Sequence, residues 1–188
     1  MGKKLNTLYG YVTDGLYIDE ADIANSALSQ LGNIAIAPGD IKYVDQPDKD
    51  GNYDGLITQD DRVPMGYPTV PEIVYGFGPS MQYKNWDFSF FFQGVANTSL
   101  MISGIEPFGT QYNRNVLKFV ADDFWSYTDQ NPNAAYPRLT KSNNNHNTAA
   151  SDYWLRNGAF LKLKNMEIGY TWGPVSYTHL TLPTIYSV

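Results

Sequence analysis

The sequence predicts an all-β fold of antiparallel strands, and three observations carry that expectation. Aromatic residues make up 15% of the 188 residues, while charged residues reach only 17%. Sixteen Gly and eleven Pro punctuate the chain at a density that suits strands and turns better than long helices. Apolar residues recur at every second position in two adjoining segments between Glu72 and Val95. The same composition excludes some chemistry. With no Cys there are no disulfides, thiolate metal sites or Cys nucleophile. Two histidines, His146 and His179, are too few for a multi-His metal centre, and a net charge of −6 disfavours nucleic-acid phosphates.

Taken in order, the first element is a strand around Leu5–Thr13, carrying Leu8-Tyr9-Gly10-Tyr11-Val12. A long polar stretch, Asp14–Pro71, follows. The next strand has Ile73, Tyr75, Phe77, Pro79, Met81 and Tyr83 on one face and Val74, Gly76, Gly78, Ser80 and Gln82 on the other. Lys84–Asn85 is a tight turn into a strand with Trp86, Phe88, Phe90 and Phe92 on its apolar face. Asp87, Ser89 and Gln93 lie opposite, with Phe91 the exception. A second polar stretch, Ala96–Asn157, contains Asn115–Trp125, where Val116, Leu117, Phe119, Val120 and Phe124 suit a short amphipathic helix. The last strand places Phe160, Lys162, Lys164, Met166, Ile168, Tyr170 and Trp172 on one face, with the two Lys beyond its apolar part.

Alternation with one aromatic face fits a β-sandwich, whose apolar face packs on a second sheet, or a transmembrane barrel, whose apolar face meets lipid. Loop lengths favour the barrel. The turn at Lys84–Asn85 is very short, both polar stretches are long, and short turns opposite long loops are the outer-membrane pattern. Each strand approaches the roughly 9–11 residues that a tilted spanning strand needs. No signal-peptide core or transmembrane helix is visible, and barrel strands escape hydropathy windows in any case.

Several motifs, in order, resemble one family. Leu8-Tyr9-Gly10-Tyr11 with Asp14-Gly15-Leu16-Tyr17, and Pro38-Gly39-Asp40-Ile41-Lys42-Tyr43 before the acidic Asp50–Arg62 loop, are similar to SusC/RagA-type TonB-dependent outer-membrane transporters. So are Tyr75-Gly76-Phe77, Asp87-Phe88-Ser89, Phe92-Gln93-Gly94, Asn131-Pro132-Asn133-Ala134 and Tyr136-Pro137-Arg138-Leu139. Tyr153-Trp154-Leu155, Leu161-Lys162-Leu163-Lys164-Asn165 and Gly169-Tyr170-Thr171 extend the match, which covers Leu8–Trp172. The resemblance implies a large plugged barrel of about 22 strands in the bacterial outer membrane, in contact with its lipid. It also implies a SusD-like lipoprotein lid, an oligosaccharide or peptide substrate, no enzymatic activity, and coupling to the TonB complex through an N-terminal part without counterpart here. Residues 1–174 would then be a partial barrel of about four strands near the C-terminal end. Residues 175–188, reading Val175-Ser176-Tyr177-Thr178-His179-Leu180-Thr181-Leu182-Pro183-Thr184 at their start, resemble translated sequencing adapter and are expected not to be native. The second reading is a secreted, calcium-stabilised β-sandwich that binds carbohydrate.

The strongest site motif is Asp50–Asp61. Asp50, Asn52 and Asp54 take positions 1, 3 and 5 of a calcium loop, Gly55 position 6, Thr58 position 9 and Asp61 position 12, where Glu is usual. Side-chain oxygens of Asp50, Asn52, Asp54 and Asp61, the Leu56 carbonyl and Thr58 would bind Ca²⁺. Without metal the same residues make an acidic turn. Adjacent pairs such as Asp60–Asp61 and Asp122–Asp123 read as surface charge rather than a catalytic dyad. No nucleophile elbow, P-loop or zinc-protease motif occurs. His146, within a run of Asn, reads as solvated, and Phe119, Phe124 and Trp125 read as loop anchors or as a surface for the lid or for sugars.

Overall fold

A computed structural model describes residues 6–103, 116–141 and 144–173. The tail at 175–188 and the start of the expected helix at Asn115 lie outside the described residues. Twelve strands are described: β1 Leu8–Gly10, β2 Thr13–Leu16, β3 Leu28–Ser29, β4 Ile41–Tyr43, β5 Leu56–Ile57, β6 Val63–Met65, β7 Ile73–Phe77, β8 Ser80–Tyr83, β9 Trp86–Ala96, β10 Ser99–Met101, β11 Leu155–Asn157 and β12 Phe160–Tyr170. Among the described residues two short α-helices accompany them, α1 Glu20–Ala24 and α2 Lys118–Ala121. The chain forms two compact units, one of Met1–Ile73 with Ala96–Ala159 and one of Val74–Val95 with Phe160–Val188.

The second unit is a sheet of long strands in the order β12-β9-β7, with β8 also paired to β9. β9 and β12 run antiparallel from Val95↔Phe160 to Trp86↔Tyr170. Directly opposed residues project to one side of a sheet. Phe88 thus shares a face with Ile168 and Met81, and Phe90 with Met166. Ser89 lies opposite Glu167 and Ser80, and Gln93 opposite Lys162, on the other face. The expected strand from Ile73 to Tyr83 is broken at Gly78–Pro79. Pro79 has no N–H to give to the ladder, and its carbonyl instead accepts from Phe90 N at 3.1 Å.

The final strand departs from simple alternation. A bulge between Leu163 and Asn165 inserts one residue and reverses the phase of β12. Lys162 therefore leaves the apolar row and joins Gln93 on the polar face, while Leu161 and Leu163 take its place. Unbroken alternation had put Lys162 and Lys164 in line with Met166.

Two glycine–aromatic fits shape the faces. Cβ atoms on Gly76 and Gly78 would approach Phe91 to 2.9 and 3.0 Å, so the small residues opposite Phe91 accommodate that ring. On the apolar face, a Cβ on Gly94 would meet Tyr75 Cζ at 2.5 Å. The sheet needs its glycines for space, not for unusual φ angles.

The first unit is not a set of loose loops. β1 pairs β6, β2 pairs β4 and β10 pairs β11, all antiparallel, and β3 pairs β5 in parallel. The expected opening barrel strand is thus corrected. Of its described residues, Leu8–Gly10 form β1, which is taken up by Val63–Met65 within this unit, and Thr13 already belongs to β2. Tyr11, Leu16, Ile41, Tyr43, Ile57, Trp125, Ala134 and Trp154 form a buried core. Of the expected amphipathic helix only Lys118–Ala121 is helical. Val120 and Trp125 are buried there, and Phe119 remains 49% exposed.

Gly39 is the tightest backbone position in this unit. Its φ is +87°, a region costly for residues with a side chain, and a Cβ there would run into the Trp125 indole. Gly39 N donates to Tyr17 O at 2.7 Å and its carbonyl accepts from Arg138 N at 2.8 Å, so the chain cannot move aside. Gly39→Ala should destabilise this unit by about 2–3 kcal/mol, from overpacking and positive φ together. Hydrogen exchange on the intact protein should then show loss of protection around residues 37–43 and 134–139. Unchanged protection there would refute the role assigned to Gly39.

Candidate functional site

Three polar assemblies could carry function. The first is the polar face of the long sheet. Near the Lys84–Asn85 turn, Ser80, Gln82, Asp87, Ser89 and Glu167 help to line a shallow open cleft of about 580 Å³. Ser89 Oγ donates to Glu167 Oε2 at 3.3 Å. Farther from the turn the face carries Phe91, Gln93, Asn165, Lys162 and Phe160. The apolar face opposite stays exposed, with Met166 at 56% and Ile168 at 55%. At the turn end Trp86, Tyr170 and Trp172 form a chain of edge-on ring contacts, 4.8 and 5.5 Å between centroids. Rings with one apolar and one polar side suit a membrane–water boundary.

The second assembly is a buried polar knot. Asp40 is fully buried, and its carboxylate accepts from Arg138 Nε at 2.7 Å and Nη2 at 3.0 Å. Asn147 Nδ2 at 2.8 Å, Asn144 Nδ2 at 3.2 Å and Ala37 N at 2.9 Å complete its shell. Asn147 Oδ1 then accepts from Ile41 N, and its carbonyl from Trp154 Nε1.

His146 belongs to this knot and is 1% exposed, which corrects the expectation of a solvated side chain. Its Nε2 lies 2.6 Å from Ile41 O, and Ser29 Oγ lies 2.9 Å from Nδ1. A carbonyl only accepts, so the ring carries its proton on Nε2 and takes the Ser29 hydroxyl proton on Nδ1. The Ser29–His146 pair has a backbone carbonyl where a catalytic triad would have a carboxylate, and it serves to fasten β3 to β4. The Asn-rich run around His146 is polar because it fills a polar interior. Nothing local in the sequence signals this, since the partners lie about a hundred residues away.

The third assembly is the acidic loop, where the expected calcium ligands are not gathered. Asp61 caps the turn Gln59–Asp61: its Oδ2 accepts from Thr58 N at 2.7 Å and its Oδ1 from Gln46 N at 2.9 Å. Asp54 Oδ1 accepts from Leu56 N at 2.8 Å, while Asp50 and Asn52 turn their backbone N–H groups to Asp48. Among the described residues no three carboxylate or imidazole groups stand together as a metal-binding cluster. Sequence reasoning missed Asp45. Its Oδ2 accepts from Gly55 N at 2.8 Å, while its Oδ1 is buried without a hydrogen-bond partner among the described residues. Burial raises the Asp45 carboxyl, against the Gly55 N–H, and Asp61 beside it raises it further. Burial also pushes Asp61 upward, but the Thr58 and Gln46 N–H groups hold it below the ordinary range. A proton on Asp45 or a cation would remove the repulsion between the two.

Burial drives the His146 imidazole below its ordinary range, although the Ile41 carbonyl opposes this. A base depressed by folding contributes stability above its unfolded value, near 6.5, which is lost as the pH falls toward the folded value. Acidification below about pH 6.5 should therefore loosen this unit, and His146→Gln should flatten that dependence. Limited proteolysis of the intact protein across this range is the measurement. Identical pH profiles for the two proteins would exclude His146 as the source.

No family model matches the chain. Over 132 residues, 70% of the chain, it is 30% identical to TonB-dependent receptor P26 of Formosa agariphila. Over 173 residues, 90% of the chain, it is 26% identical to TonB-dependent receptor P3 of the same organism. The chain spans only 12% and 15% of the lengths of these two relatives. In structure it is similar to the RagAB peptide importer in its open-open state, with a TM-score of 0.53 and 15% identity, covering 90% of this chain and 17% of that one.

Proposed function

We propose that this stretch of a SusC/RagA-type TonB-dependent receptor serves transport rather than catalysis, supplying barrel wall and external loops in the outer membrane for nutrient import. The imported molecules are oligosaccharides or peptides, passed beneath a SusD-like lipoprotein and driven through TonB. The observation that carries this reading is the two-faced sheet. Its apolar face lies open while its polar face holds Gln, Ser, Lys and carboxylates. Lipid would cover the first and the lumen the second. The edge-on rings of Trp86, Tyr170 and Trp172 would sit at the periplasmic boundary beside the short turn. The first unit, with its own core and knot, would stand outside the membrane as folded loops.

In the full-length receptor, spin labels replacing Phe88 or Phe90 should be relaxed by lipid-soluble oxygen, and a label replacing Ser89 by a water-soluble relaxant. Tyr75, Phe77 and Tyr170 should behave as Phe88 does, and Gly76, Gly78 and Gln93 as Ser89 does. Equal accessibility at Phe88 and Ser89 would sink the barrel orientation and favour the secreted sandwich.

For the acidic loop we propose weak Ca²⁺ binding by a closed form of the loop in which Asp54 swings in to join Asp45 and Asp61. The reading is supported by the loop spacing and by the charges of Asp61 and Asp54, both of which raise the Asp45 carboxyl beside them. Closing the site requires Asp50 and Asn52 to turn from Asp48, so affinity should fall near that of extracellular calcium modules, roughly 10⁻⁴–10⁻³ M. Calorimetry on the intact receptor should give calcium-dependent heat that Asp50→Ala with Asp54→Ala abolishes. No heat at millimolar calcium would leave the loop an acidic turn.

A further inference from the structure

The bulge in β12 gives the polar face a feature that simple alternation would not. By reversing the phase after Leu163 it puts Lys162 directly across from Gln93. The Lys162 ammonium stands 5.7 Å from the centre of the Phe160 ring, an attractive cation–π distance. Asn165 lies across from Phe91 on the same face. Among the described residues Lys162 makes no ion pair. The nearest carboxylate on this face of β12 is Glu167, opposite Ser89, and Ser89 is four residues from Gln93 along β9. At about 3.4 Å per residue that places Glu167 roughly 14 Å away, beyond ion-pair reach. The face is therefore polarised along the strands, with an ammonium among amides and aromatic rings at one end and carboxylates near the short turn.

We propose that Lys162, with Gln93 and the Phe160 ring, forms an anion subsite on the lumenal wall that takes a carboxylate or sulfate carried by the imported molecule. The proposal rests on the barrel reading, which makes this face the lumen. The ammonium supplies the charge, and the Gln93 amide donates a hydrogen bond beside it. The flat Phe160 ring covers the apolar side of a sugar or side chain that bears the anion. A neutral substrate would gain only the ring and the amide.

The chain has no Cys, so Val95→Cys, opposite Phe160 on the same face, introduces a thiol beside the subsite in the full-length receptor while leaving Gln93 in place. Its reaction with the anionic reagent sulfonatoethyl methanethiosulfonate should be about three-fold faster with Lys162 present than with Lys162→Gln, as expected for one unit charge close by in water. The cationic trimethylammonioethyl reagent should show the opposite change, and Lys162→Arg should behave as Lys162 does. Glucuronate should slow the reaction if the anion is carried on sugar, and glutamyl-glutamate if it is carried on peptide. Glucose and glycyl-glycine should not slow it. Equal rates with Lys162 and with Lys162→Gln would overturn the subsite, including the case in which a carboxylate of the domain filling the lumen already neutralises the lysine. Reaction of the introduced thiol without protection by either anion would overturn it as well. The barrel orientation itself would fail separately, if the thiol of Val95→Cys were inert to both reagents while that of Phe92→Cys reacted.

Discussion

The folded loops depend on one constraint, the burial of the Asp40 carboxylate. A buried charge without compensation costs about 3–5 kcal/mol, so the chain around it must supply donors from every side. Arg138 binds both oxygens in a fork, Asn144 and Asn147 approach from a second segment, and Ala37 N closes the local turn. Meeting that requirement fixes the rest. Gly39 must adopt positive φ so that Asp40 turns inward, and Trp125 then packs where a side chain on Gly39 would stand. Asn147 passes the order on to Ile41 and Trp154. Tyr43 donates to the His146 carbonyl at 2.6 Å and its ring lies 4.7 Å from the imidazole. The apolar core forms around this knot, with Tyr11, Leu16 and Ile57 filling the space between the polar ties.

The long sheet is governed by a different rule, the matching of large rings to missing side chains. Phe91 is the aromatic residue of β9 that breaks alternation, and Gly76 with Gly78 leaves room for it. Tyr75 covers Gly94 on the other side in the same way. The faces keep their character because these three glycines are each paired with a ring that would otherwise have nowhere to lie. The bulge acts on charge as the glycines act on volume: by one inserted residue it moves an ammonium from an apolar row to a polar one.

The periodicity of Trp86–Val95 is legible in the sequence because period two acts over immediate neighbours and needs no knowledge of partners. The bulge is not. Phe160, Lys162, Lys164 and Met166 are in phase as letters, and the extra residue becomes visible only against the spacing of β9. The strand at Leu8–Gly10 shows in the pattern but its partner does not, since alternation does not say whether Val63–Met65 or a barrel strand receives it. Pro38-Gly39-Asp40 stands out as a motif, yet its role lies in Arg138, in a separate motif, and in Asn144 and Asn147, which belong to the run read as solvated. Asp45 escapes for the same reason: the calcium template begins at Asp50, and only the fold brings Asp45 to Asp61.

The ties of the knot have a consequence in time. Asp40 meets its partners across 98 to 107 residues of sequence, and Thr13 meets Asp152 across 139. Contacts of such separation form late, because the entropy of closing the intervening chain is lost before they give any stability back. With no disulfide to hold intermediate stages, Asp40 must stay solvated until segments near both ends of the unit arrive together. This unit is thus the part of the chain that matures last. Until it does, the short strand edges of β1, β2 and β4 lie open, and this region is the one that most needs shielding while the chain is being delivered.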